Sequence, residues 1–261
     1  GLRPEKSLGQ NFLLDEASLE QVVAAAEVRG EDIVLEIGAG LGSLTRHLAK
    51  AARSVVAVEL DEGLLPPLRQ VLDPFPNVHI VHGDILALDP AKLIPEGAYL
   101  VVANIPYYIT SVLIRHLLEC SRPPSRLVLT MQKEVAQRVC AAPGDLSLLA
   151  LSVQVYGQPH ITAFIPAGAF YPPPKVDSAI LRVDLYPTPR IPTPLLEVFF
   201  RLSKAGFSQK RKTLRNALAG GLGWSTARAN ELLQTAQIDP FRRAETLSLD
   251  EWLRLSQAYA A

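Results

Sequence analysis

Short apolar runs recur through the first half of the chain, at Ile33–Ile37, Val55–Leu60, Val78–Val81, Tyr99–Ala103 and Leu127–Met131. Several are apolar almost throughout, as strands covered by helices on both faces are. Between them, apolar positions recur at helical spacing over Leu19–Ala26, Leu44–Ala51, Leu64–Leu72 and Ser111–Leu118. This alternation predicts a doubly wound α/β sheet. Leu151–Tyr156 and Ser178–Leu185 read as two further strands, joined by a connection containing Pro166, Pro172, Pro173 and Pro174. Pro187, Pro189, Pro192 and Pro194 then crowd into one short stretch, which marks a linker. Only helical spacing follows, over Leu195–Ala205, Lys212–Ala219, Thr226–Gln234 and Leu249–Ala258. The pattern predicts a boundary near residue 188: an α/β domain over 1–188 and a small all-helical domain over 189–261.

Composition agrees with a soluble globular protein, since 48% of the 261 residues are apolar and 20% charged. No run approaches the roughly 18 consecutive apolar residues of a membrane span. Leu2–Lys6 leads directly into mixed sequence, with no secretory leader. Cys120 and Cys140 stand apart, with neither metal-ligand spacing nor a disulfide framework, so a reducing compartment is expected. Bacterial cytoplasm is the simplest location; an organellar matrix or stroma would fit a chain whose transit peptide had been removed. A monomer is the default.

Zero formal net charge argues against a polyanionic partner until its distribution is considered. Residues 201–230 carry Arg201, Lys204, Lys210, Arg211, Lys212, Arg215 and Arg228 without one Asp or Glu. A local basic field of that kind suits a nucleic acid, although a solvated helix face has the same composition.

The chemistry concentrates at the ends of the apolar runs. Asn104-Ile105-Pro106-Tyr107 joins an amide, a rigid turn and an aromatic face, a combination suited to gripping an exocyclic amine on a flat base. Alone, it also makes an ordinary strand-ending turn. Upstream, Glu36-Ile37-Gly38-Ala39-Gly40-Leu41-Gly42 follows the first run, and its glycines permit positive φ and close approach of a ligand. Nicotinamide enzymes use a related loop. An acid directly before the glycines is less expected beside a pyrophosphate, whereas the ammonium of S-adenosylmethionine tolerates it well. Glu59 closes the second run, about 20 residues on, where a carboxylate accepts from ribose hydroxyls. Asp84 ends the third, placed to meet an adenine amine. Each acid singly is equally a helix cap or turn residue; the ordered set points to a cofactor at the carboxyl ends of adjacent strands.

These blocks are recognisable together. Lys6–Leu13, Glu36–Thr45, Gly83–Leu86, Asn104–Ile109, Gln132–Val135, Phe170–Ala179 and Phe207–Asn216 occur in the order seen in the ribosomal RNA adenine dimethyltransferase family. The chain resembles that family from residue 6 to about residue 256, most of all the branch acting near the 3′ end of small-subunit rRNA. It departs in having Gly38-Ala39-Gly40 for Gly-Pro-Gly, Ile105 for Leu, and Leu148-Leu149 where Tyr-Gly is usual. The resemblance implies a Rossmann-like methyltransferase sheet with a helical RNA-binding domain. It implies S-adenosylmethionine contacts at Asn11, Leu13, Gly38, Glu59, Asp84 and Asn104, and S-adenosylhomocysteine as product, with no metal. Two neighbouring adenosines, within an immature small subunit, would be dimethylated at N6. An extruded base would be held between Tyr107 and Phe170, with Asn104 and the Ile105 carbonyl on its amine and Pro106 fixing the backbone. Arg201, Lys204, Lys210, Arg211, Lys212 and Arg215 would contact RNA phosphates. Three rivals remain: a large-subunit rRNA dimethyltransferase, an assembly factor that binds without catalysis, and a nicotinamide oxidoreductase.

Overall fold

The structure, a computed structural model, describes residues 10–94, 97–106 and 109–261. Tyr107 and the Lys6–Gly9 part of the first motif lie outside the described residues. The chain divides into two compact units, one running to Ala136 and resuming at Gln158–Leu185, the other made of Gln137–Gly157 and Tyr186–Ala261. The last junction, Leu185 to Tyr186, lies near residue 188; the earlier segment 137–157 also belongs with the helical unit.

In chain order the elements begin β1 (Phe12–Leu13), α1 (Glu16–Ala26), β2 (Ile33–Ile37), α2 (Ser43–Ala51), β3 (Ser54–Glu59), α3 (Leu65–Leu72) and β4 (Val78–His82). Then come α4 (Pro90–Leu93), β5 (Leu100–Asn104), α5 (Thr110–Glu119), β6 (Arg126–Gln132), α6 (Lys133–Val139), α7 (Leu148–Gln154) and β7 (Gly157–Ile165). The chain closes with β8 (Phe170–Tyr171), β9 (Ser178–Leu185), α8 (Leu196–Gly206), α9 (Leu214–Leu222), α10 (Thr226–Thr235) and α11 (Leu249–Ala260).

Among the described residues, the main sheet has the order β4-β3-β2-β5-β6-β9-β7. The strands from β4 to β6 pair in parallel, and β9 runs antiparallel to β6. The all-buried sequence of β2 follows from that central position, with neighbours on either side and helices over the faces. Val34, Val102, Val128 and Ile180 share a core with Leu19, Val22 and Ala26 of α1 and Leu44 and Leu48 of α2. Full burial of each larger side chain contributes about 1.5–3 kcal/mol. Asp15 starts α1 by accepting from the Ser18 amide at 2.8 Å, satisfying a donor the helix leaves open.

Two readings of the sequence need correction. Leu151–Tyr156, expected as a strand, is mostly helix: α7 starts at Leu148, capped by Ser147, whose Oγ accepts from the Ala150 amide at 3.1 Å. An apolar run this short satisfies both periods, and the Ser cap decides between them. The connection that follows contains β7, whose residues alternate between buried and more exposed positions. Pro159 disguises it, and its place at the end of the strand order is where a strand proline is tolerated.

The helical unit has its own core, in which Leu146, Leu151 and Val155 join Phe199, Leu202, Leu214, Leu218, Leu233, Trp252 and Leu255. This packing is what places 137–157 with the helices. Helices α8 and α9 approach closely enough that a Cβ on Gly221 would lie 2.7 Å from both Cα and Cβ of Ala205. Gly221→Ala would gain up to about 1 kcal/mol of helix propensity but would overpack this contact at about 1–3 kcal/mol. We expect a net loss of stability, read as a lower urea midpoint; an unchanged or higher midpoint would show that the two helices separate freely.

Candidate active site

Four parallel strands end side by side. Ile37 is level with Val58 and Ala103, and Glu59 is level with His82, so the residues just beyond each strand line one edge of the sheet. The chain after β2 turns through Gly38, Gly40 and Gly42 at φ of +74°, +58° and +80°, a region in which L side chains are strained. A Cβ on Gly40 would also press to 3.1 Å from the Phe12 ring. The turn is tied down by the Gly38 amide, which donates to the Val58 carbonyl at 2.9 Å.

Glu59 is 6% exposed. Its Oε2 accepts from the Gly40 amide at 2.7 Å and its Oε1 from the Asp61 amide at 2.8 Å. The carboxylate thus fixes the glycine loop, and its remaining lone pairs are free for hydroxyls of a ligand. Asp84 is exposed, with Oδ1 accepting from the Leu86 amide at 2.9 Å. Asn104 donates from Nδ2 to the Asn11 carbonyl at 3.0 Å, which commits the donor side of its amide and turns the acceptor, Oδ1, to other partners.

These groups line one cleft, open to solvent, at the strand ends. Asn11, Gly38, Glu59, Asp84, Asn104, Ile105 and Pro106 are all on its wall. Leu13 is buried and lines a small adjoining hollow that shares Phe12, Gly38, Gly40 and Asn104 with the first. The apolar wall residues Phe12, Leu60 and Ile85 were not singled out from sequence. Leu60 and Ile85 directly follow the acids Glu59 and Asp84, and that spacing was the available signal.

Glu36 lines the smaller hollow and is 1% exposed, with Oε2 lacking any hydrogen-bond partner. Burial pushes its carboxyl up to about 8; the neighbouring Thr45 hydroxyl opposes this and the Glu59 carboxylate adds to it. A buried orphan oxygen beside the glycine loop is a vacancy in hydrogen bonding that an ammonium would fill.

Phe170, the expected second ring beside Tyr107, opens β8. It is 4% exposed, packed in the core with Leu13 opposite it on β1, and it lines neither cavity. Alternation along a strand explains this: its neighbour Tyr171, opposite Phe12, faces outward at 60% exposure. In the helical unit Arg201, Lys204, Lys210, Arg211 and Lys212 are exposed, while Arg215 is half-buried. The Arg201 guanidinium lies over the Tyr259 ring, 5.7 Å from its centroid.

A glycine turn and two carboxylates, Glu59 and Asp84, thus stand at the ends of adjacent parallel strands, and the chain is an S-adenosylmethionine-dependent methyltransferase. A family model described as ribosomal RNA adenine dimethylase matches residues 1–261, and the chain belongs to that family. The chain is 47% identical over 261 residues to the ribosomal RNA small subunit methyltransferase A of Dehalococcoides mccartyi (strain CBDB1), covering 99% of this chain and 89% of the relative. Among solved structures it is similar to a dimethyladenosine transferase from Plasmodium falciparum, at 25% identity and a TM-score of 0.79 over 94% of this chain and 95% of that one. It is also similar to the 23S rRNA methyltransferase ErmE, at 28% identity and a TM-score of 0.75 over 96% and 100% of the two chains.

Glu36 gives this site a pH signature. Without cofactor, the folded protein holds the Glu36 proton up to about 8, whereas the unfolded chain releases it near the ordinary glutamate value of 4.5. Between those values the folded state binds more protons, so stability falls as pH rises. Glu36→Gln should remove this slope and gain stability over the parent as pH is raised across that window. Denaturation curves at several pH values would show it, and a constant difference between the two proteins would contradict it.

Proposed function

We propose that this chain transfers methyl groups from S-adenosylmethionine to N6 of two adjacent adenosines near the 3′ end of small-subunit rRNA, giving N6,N6-dimethyladenosines during ribosome assembly. The observation that carries the reading is the Asn104 amide, held by Asn11 at the mouth of a cavity whose acids suit an adenosine-bearing methyl donor. The small-subunit branch is favoured by the 47% identical relative named for that activity, against 28% for the large-subunit enzyme. The Phe170–Ala179 and Phe207–Asn216 blocks point the same way.

Bound in the cavity, S-adenosylmethionine supplies an activated methyl group on sulfur. We assign Glu59 to its ribose hydroxyls, Asp84 to its adenine amine, Gly38, Asn11 and Leu13 to the walls around it, and Glu36 to its ammonium. Adenine's amino lone pair is delocalised into the ring, so the protein must redirect it. Asn104 Oδ1 and the Ile105 carbonyl, accepting from the amine hydrogens, favour a pyramidal nitrogen whose lone pair faces the donor carbon. Pro106 fixes the backbone there, and orientation does most of the work. No strong base is needed, because the methylated ammonium is acidic and releases its proton readily. Tyr107 is assigned one face of the base; Phe170, buried in the core, is not assigned the other. Lys210, Arg211, Lys212 and Arg215 of the helical unit, with Arg201 and Lys204, are assigned to RNA phosphates. The reading carries a cytoplasmic monomer acting on immature small subunits and needs no metal.

Asn104→Ala should lower methyl transfer by at least about a thousandfold, roughly 4 kcal/mol of barrier, while RNA binding stays within about twofold. Labelled methyl transfer to immature small subunits, with the modified nucleotides mapped, is the assay. Undiminished turnover would remove Asn104 from the chemistry. Preferential labelling of naked large-subunit RNA would favour the ErmE-like activity instead.

A further inference from the structure

We propose that Phe241 and Arg215 form a stacking platform for an unpaired RNA base on the helical unit. Phe241 is 66% exposed, the highest value among the described large hydrophobic side chains that face solvent. A single exposed apolar residue needs no explanation by itself. This one is built into a site. The Arg215 guanidinium lies 5.2 Å from the centre of its ring, and the side chain remains largely exposed beside it.

The loop that carries the ring is held in place. Asp239 Oδ1 accepts from the Phe241 amide at 2.9 Å, the Arg215 amide donates to the Pro240 carbonyl at 3.2 Å, and the Leu214 amide donates to the Arg242 carbonyl at 2.6 Å. These bonds bring the 239–242 turn against the start of α9, directly after Lys210-Arg211-Lys212. The three cations are exposed and, among the described residues, have no acidic partner. Arg242, by contrast, is committed to Glu251, and the Asp239 carboxylate is engaged by the turn.

An aromatic face, a guanidinium plane and three cations without an acidic partner among the described residues together match single-stranded RNA: the ring stacks a base and the cations follow its phosphates. A protein partner would call for acids opposite the cations but gives no reason for the guanidinium lying on the ring. The proposal rests on the reading that the helical unit binds RNA, and adds to it a contact that discriminates unpaired from paired RNA.

The test uses the full chain and two fluorescent RNAs of equal length, one a small-subunit 3′-end hairpin with an unpaired loop, the other fully paired. Phe241→Ala should weaken binding of the first about tenfold, a loss of about 1.4 kcal/mol, leave the second unchanged, and preserve the slope of affinity against salt. Phe241→Trp should restore binding, since it keeps a stacking face. A control with Lys210, Arg211 and Lys212 all changed to alanine should weaken both RNAs and flatten the salt slope. Equal binding by Phe241→Ala and the parent would overturn the platform while a weakened control left the RNA-binding reading intact. An unaffected control would overturn both. Loss of affinity for both RNAs alike in Phe241→Ala, or a loss seen only with intact small subunits, would overturn it in favour of a structural role or a protein contact.

Discussion

The parallel register of β4, β3, β2 and β5 is the constraint from which the site follows. With Glu59 level with His82 and Ile37 level with Val58 and Ala103, the four strands stop along a common edge. Residues far apart in sequence then share one wall: Gly38 follows β2, Glu59 and Asn104 close β3 and β5, and Asp84 lies two residues beyond β4. The glycine turn, Glu59, Asp84 and Asn104 are distributed one to a strand end. Glu59 and Asn104, still within their strands, could not be moved one position along the chain without pointing to the other face of the sheet.

Hydrogen bonding completes what register begins. Glu59 grips the Gly40 and Asp61 amides, so the carboxylate we assign to a ribose is also the brace of the glycine loop. Asn104 spends its donor on Asn11 and keeps its acceptor, the polarity that an amine requires. Glu36 is the exception: a buried carboxyl with an unpartnered oxygen is a local cost that the surrounding core offsets. Sites that await a charged ligand commonly carry such a mismatch.

The sheet strands were legible because a strand buried on both faces leaves a continuous apolar run, as Ile33–Ile37 does. The ends of those runs located the cavity wall, including Asn11 through the family motif. What stayed hidden was decided by packing. Leu148–Gln154 is too short for period to separate helix from strand, and β7 is interrupted by Pro159. The membership of 137–157 in the helical unit depends on Leu146, Leu151 and Val155 meeting Phe199 and Trp252, which no local pattern announces. Composition cannot say which of the adjacent aromatics Phe170 and Tyr171 faces inward; the pairing of Phe170 with Leu13 on β1 does. Nor does sequence show that Arg215 lies on Phe241, since the two meet only through the fold of the helical unit.

The central claim is that the Asn104 acceptor and the methyl donor's carbon converge on one adenine nitrogen. A crystal structure of the protein with an unreactive S-adenosylmethionine analogue and a short adenosine-containing RNA tests it most directly. The account predicts the analogue between Glu59 and Asp84, with adenine N6 hydrogen-bonded to Asn104 Oδ1 and about 3–3.5 Å from the donor position. An analogue seated away from the glycine loop, or an Asn104 amide turned from the base, would contradict it.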